Sequence, residues 1–174
     1  MKRTRRPRRP EEETGPSPPG DPRAAALRML SRRALSEGEI RFRLAAKGFS
    51  ESQAAAVLVR LRELGLVDDR GLCANLARTY RDVRRYGPRR IAGALLSRKF
   101  PRDLVDEAVR AVSRPGEELG AAAAALGRKY RDGIPGGREG AAKAFRFLFQ
   151  RGFSPETCRE AIRRLSHDIE EGEG

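Results

Sequence analysis

The amino-acid sequence predicts an all-α protein of three tandem three-helix, helix-turn-helix-like repeats forming an elongated curved array. Three observations carry this. Ala and Leu number 41 against 16 for Val, Ile and Thr; the first pair enters helices at little cost, whereas β-branched side chains suit pleated sheets. A pattern centred on Phe49, Phe100 and Phe153 recurs along the chain, the mark of a repeat architecture. Within each copy, apolar residues fall 9 and 5 positions before the Phe and 8, 9 and 12 after it, one helical face on each side of a turn.

The elements follow in order. Residues 1–22 hold six prolines, a basic decapeptide and Glu11–Glu13, too little apolar surface to offset ordering, so a disordered basic, Pro-rich arm is expected. The first repeat spans 23–67. Asp21 caps a helix over Pro22–Arg33, Ser36 with Glu39 forms a capping box for the helix through Ile40 and Leu44, and Ser50 with Gln53 caps the helix carrying Val57, Leu58 and Leu61. Gly48 sits where the turn between them needs a left-handed residue.

The second repeat spans 68–114. Asp68-Asp69 could suggest an acid pair, but an N-cap explains them, opening a helix over Gly71–Arg85 that stops at Tyr86-Gly87-Pro88. Ile91 and Leu95 mark the next helix, and Ala108, Val109 and Val112 the third. Lys99 stands where the other repeats have Gly, at a cost of about 1 kcal/mol if the turn is the same.

The third repeat spans 115–166. It starts with a helix over Glu117–Arg131, crosses a Gly/Pro-rich linker (Asp132–Gly137), and continues through Ala144 and Leu148 to Gly152, Phe153, the capping Ser154 and Pro155 at a first helical position. Residues 167–174 are expected to fray as an acidic tail, with His167 near the last helix end.

Charge narrows the function. The chain carries 37 Lys+Arg against 24 Asp+Glu. Residues 23–166 alone hold 31 basic and 16 acidic side chains, spread over the three repeats as +5, +6 and +4. Such a body seeks polyanions: DNA through its phosphates, RNA, anionic lipid or an acidic protein groove. No apolar run approaches a membrane span and no apolar stretch opens the chain, so no membrane association and a cytoplasmic location are expected. Cys73 and Cys158 lie in no ligand-like spacing, and His167 is the sole histidine. Gly133-x-x-Gly136-Gly137 lacks the Lys and Ser/Thr of a phosphate loop. No catalytic residue, metal or cofactor is expected.

The densest basic stretch is Arg78, Arg81, Arg84, Arg85, Arg89 and Arg90. Arg78, Arg81 and Arg85, at i, i+3 and i+7, share one helical face. Their forked guanidinium groups suit phosphates, although a charge run also serves as a solvated face. Arg41, Arg43 and Lys47 in the first repeat, and Arg146 and Arg151 in the third, are weaker equivalents. Phe145, Phe149 and Phe153 read as core, with Phe147 elsewhere on the wheel as the one aromatic free to make contact.

Four segments together resemble the RecX family, regulatory proteins of the bacterial recombinase RecA. They are Leu30-Ser31-Arg32-Arg33-Ala34-Leu35-Ser36-Glu37, Leu64-Gly65-Leu66-Val67-Asp68-Asp69, Tyr86-Gly87-Pro88-Arg89-Arg90-Ile91, and Arg151-Gly152-Phe153-Ser154. The resemblance covers about residues 24–166 and departs from the family pattern at Gly38 and Lys99. It implies three tandem three-helix repeats lodged in the groove of the RecA–DNA filament; a monomer is expected, its basic face meeting single- or double-stranded DNA through phosphate contacts. There the protein would restrain ATP hydrolysis, strand exchange and filament growth. The rival reading is a sequence-specific DNA-binding regulator, for which Arg89 and Arg90 would discriminate between duplex sites.

Overall fold

The structure, a computed structural model, describes residues 20–172 apart from 115 and 132, with side chains as far as 165. The arm over 1–19 and the side chains of the acidic tail, His167 included, lie outside the described residues. Among the described residues there are nine helices and no strand. They are α1 (Pro22–Leu30), α2 (Glu37–Ala45), α3 (Glu51–Glu63), α4 (Asp69–Asp82), α5 (Pro88–Ser97), α6 (Arg102–Val112), α7 (Glu117–Lys129), α8 (Gly137–Gln150) and α9 (Pro155–Gly172).

Helix starts follow the capping chemistry. Asp21 accepts from the N–H groups of Arg23 and Ala24, and the Ser36/Glu39 and Ser50/Gln53 capping boxes are both closed. Asp68 accepts from Gly71 N at 3.0 Å, which moves the start of α4 to Asp69. Ser154 Oγ accepts from Thr157 N at 3.1 Å.

Helix ends share one turn. In α2 and α8 a left-handed glycine follows (Gly48, φ 85; Gly152, φ 86), and the next N–H, of Phe49 or Phe153, reaches back to the carbonyl of Leu44 or Leu148. This 6→1 closure tucks each Phe under its own helix pair. α4 ends three residues earlier than Arg85, in a turn one residue wider. Tyr86 N donates to Tyr80 O at 3.0 Å, and Arg85 takes the left-handed place at φ 54. Arg85 therefore does not continue the face of Arg78 and Arg81, and the shared stripe expected from sequence is broken. α1 and α7 likewise stop short of Arg33 and Arg131, while the α9 backbone remains helical past Ser166 to Gly172.

The repeat pattern becomes three separate cores. Ile40, Leu44, Phe49, Leu58 and Leu61 centre the first; Ile91, Leu95, Phe100 and Val105 the second; Leu148, Phe153 and Cys158 the third. Burial pushes the thiols of Cys73 and Cys158 up to about 11, so neither is a nucleophile at neutral pH. Extensive helix packing stays within the trios α1–α3, α4–α6 and α7–α9.

The trios meet through narrow polar junctions. Between the first and second, Ser36 Oγ donates to Arg98 O at 2.5 Å, and Asp69 accepts from Glu37 N at 2.9 Å. The Glu39 carboxylate takes Arg33 from its own trio and Arg98 from the next. Gly38 lies against Lys99 so closely that a Cβ there would stand 2.7 Å from that of Lys99. The two departures from the family pattern are thus one contact. Lys99 does adopt the left-handed conformation (φ 62), with its ammonium 5.1 Å from the Phe42 ring centre. Lys99→Gly should relieve about 1 kcal/mol of strain and forfeit about half of that with the cation–π contact. A small rise in urea midpoint with unchanged slope would register the net gain.

Candidate nucleic-acid interface

The second junction organises the basic residues. Gly87 N donates to Arg151 O at 2.7 Å and Arg89 N to Gly152 O at 3.2 Å. Side chains are absent at Gly87 and Gly152 because each faces backbone. A Cβ on Gly87 would stand 2.6 Å from Gly152 O, and one on Gly152 2.6 Å from Arg90 Cβ. This approach sets the end of α4 beside the last turn of α7 and the C-terminal half of α8, leaving a cleft of about 300 Å³.

Five cations line it: Arg84 and Arg85 after α4, Arg128 and Lys129 ending α7, and Arg151 after α8. Its apolar wall is Val83, Ala125 and Phe147. Phe147 holds two of the cations in place, with Lys129 Nζ 4.3 Å and Arg151 Cζ 4.5 Å from its ring centre and Tyr130 edge-on at 6.4 Å. Arg151 Nη1 also donates to Arg84 O at 2.5 Å, and burial lowers the guanidinium's pKa from its ordinary value. Arg151 builds the wall, whereas Arg84, Arg128 and Lys129 are more open to solvent.

The remaining expected residues are dispersed. Arg90 sits over Tyr86 at 4.5 Å and donates to Gln150 O, so it braces the junction; Arg89 lies over Phe149 at 5.9 Å. Arg81 is paired with Asp82 at 2.7 Å and donates to Val112 O, beside a second cleft that Glu117 and Glu118 make mixed in charge. Arg78 donates to Asn75 at 2.5 Å, and Arg41 pairs with Glu51. Arg43 and Lys47 lie on and just after α2 in the first trio, and Arg146 lies on α8. Of the eleven, Arg84, Arg85 and Arg151 come together in this cleft. Arg128 and Lys129 were not singled out from sequence. Two adjacent cations ending an Ala-rich helix were visible, but not which neighbouring trio they would face.

Comparison with known proteins matches residues 23–61 to the family described as "RecX, first three-helix domain" and residues 116–162 to "RecX, third three-helix domain". The regulatory protein RecX of a Thermus thermophilus strain is 40% identical over 151 residues, which span 87% of this chain and 94% of that one. The regulatory protein RecX of Halorhodospira halophila is 33% identical over 150 residues, spanning 86% and 91%. Among solved structures, RecX from Lactobacillus salivarius superposes with a TM-score of 0.68 over 83% of this chain and 94% of its own, at 20% identity. A crystal structure of regulatory protein RecX superposes at 0.65 over 83% and 74%, at 26% identity.

Proposed function

The chain belongs to the RecX family of regulatory proteins, and on that premise we propose that it restrains the recombinase RecA by lying in the groove of the RecA–DNA filament in the cytoplasm. The observation that carries this reading is the way three similar trios are pinned at both junctions. The shared Glu39 carboxylate holds the first trio to the second and main-chain hydrogen bonds hold the second to the third, with a close glycine contact at each junction. A row of linked modules touches successive protomers together, so weak contacts add as an effective local concentration. Bridging protomers opposes the relative motions that ATP turnover needs. The basic surface, including the cleft, meets DNA phosphates, which speeds association and makes it sensitive to salt.

The test is RecA ATPase activity on single-stranded DNA with increasing amounts of this protein. Inhibition that saturates near one molecule per few protomers, and weakens with added salt, is expected. Undiminished turnover at that ratio overturns the proposal.

A further inference from the structure

We propose that the cleft between α4, α7 and α8 is a binding site for the sugar-phosphate backbone of single-stranded DNA. This rests on the regulatory reading above and gives the DNA a seat of its own on the protein.

The charge is the first reason. Five cations line the cleft and no carboxylate does. Among the described residues, no carboxylate oxygen lies within 4.0 Å of Arg84, Arg85 or Arg128, whereas Arg41, Arg62, Arg70 and Arg98 each have such a partner. The carboxyl ends of α4, α7 and α8 all lie at the cleft, and each offsets roughly half a unit. A net charge of about +3.5 is left for a ligand.

The second reason is the balance of donors and acceptors. Every polar side chain in the lining is Arg or Lys, a donor without acceptor capacity. The carbonyls of Arg84 and Arg85 are already engaged by Arg151. A peptide brings N–H groups that the lining side chains cannot accept from, whereas an RNA 2′-hydroxyl can donate or accept. The DNA backbone brings phosphate and sugar oxygens only. Val83, exposed at 68%, offers apolar surface to the deoxyribose. A cleft of about 300 Å³ is on the scale of a single nucleotide.

The third reason is strain. Arg85 occupies a left-handed helix-end position that Gly fills at Gly48, Gly65 and Gly152. Gly there would be cheaper to fold. A side chain kept at that cost, and lining a cationic cleft, fits a functional role.

The experiment is fluorescence anisotropy of a short labelled oligothymidylate with the full chain, without RecA, over a salt series. Arg85→Gly and Arg128→Ala are each expected to weaken binding about tenfold and to cut the slope of log K against log salt by about 0.7. Arg85→Gly should melt no lower than the parent, so a lost site is told apart from a lost fold. Arg102→Ala, on an 80% exposed side chain of α6, should leave binding nearly unchanged.

The proposal is overturned if the two cleft variants bind like the parent, or if Arg102→Ala weakens binding as much as they do. It is also overturned if ATP, a duplex or polyglutamate displaces the strand as well as unlabelled oligothymidylate does. The ATPase assay separates the two readings. Cleft-dependent oligonucleotide binding by a protein that leaves RecA unaffected keeps the site and removes the regulatory role. Restraint of RecA with no effect of the cleft variants on oligonucleotide binding does the reverse.

Discussion

Gly152→Ala is expected to lower the unfolding free energy by about 4 kcal/mol, and Gly48→Ala by only about 1 kcal/mol. The two glycines hold the same turn at nearly the same φ, 86 and 85, so the backbone cost of adding a methyl group is shared. They differ in surroundings. Nothing lies within 4 Å of a Cβ on Gly48, whereas a Cβ on Gly152 would run into the backbone of Arg90. Main chain cannot swing aside as a long side chain can, so the second and third trios must part. Parting strains the bonds from Gly87 N to Arg151 O and from Arg89 N to Gly152 O, and it opens the basic cleft. Urea denaturation of the two variants side by side isolates the junction's share. Equal losses would show that the junction contributes nothing.

Glu39→Ala should cost about 3 kcal/mol at neutral pH, within the range for removing one partner of a buried ion pair. Its carboxylate is 10% exposed and binds Arg33 Nη2 at 2.7 Å and Arg98 Nη2 at 3.0 Å. It also accepts from Ser36 N at 3.2 Å, closing the capping box. Without it, Arg98, 17% exposed, keeps its charge with the Ala34 carbonyl and the Phe100 ring, 5.9 Å away, to meet it. Burial alone would raise the carboxyl pKa, but the bonds from Arg33, Arg98 and Ser36 outweigh it and hold the group below its ordinary value. The stabilisation is therefore whole above the unfolded carboxyl's value of about 4.3 and is lost as pH falls through the lower folded value. Stability measured from neutral to acid pH should fall more steeply in that window for the parent than for the variant. Parallel curves would refute this assignment.

Much of the architecture is legible in the residues because helix ends are decided locally. Ser36, Ser50, Asp68 and Ser154 each bond to an N–H only three positions ahead. The central phenylalanines are buried as their spacing requires. Contacts between trios are not legible in this way. Gly38 reads as a poor helix residue and Lys99 as a poor turn residue until the fold puts one against the other. Arg85 reads as the last member of a helical stripe because nothing nearby shows that Tyr86 N will reach back to Tyr80 O. The basic run around Arg84 and Arg85 marks half of the candidate site. The other half, Arg128 and Lys129, depends on an approach between Gly87 and Gly152 from different repeats.

At the Gly87–Gly152 seam, two of the holding bonds run between main-chain atoms, and those ask only that two small residues be kept. Surface side chains are then free to drift while the spacing between neighbouring units stays constant. A lineage could retune what this ribbon grips, or lengthen it by copying a whole unit, without redesigning how the units join.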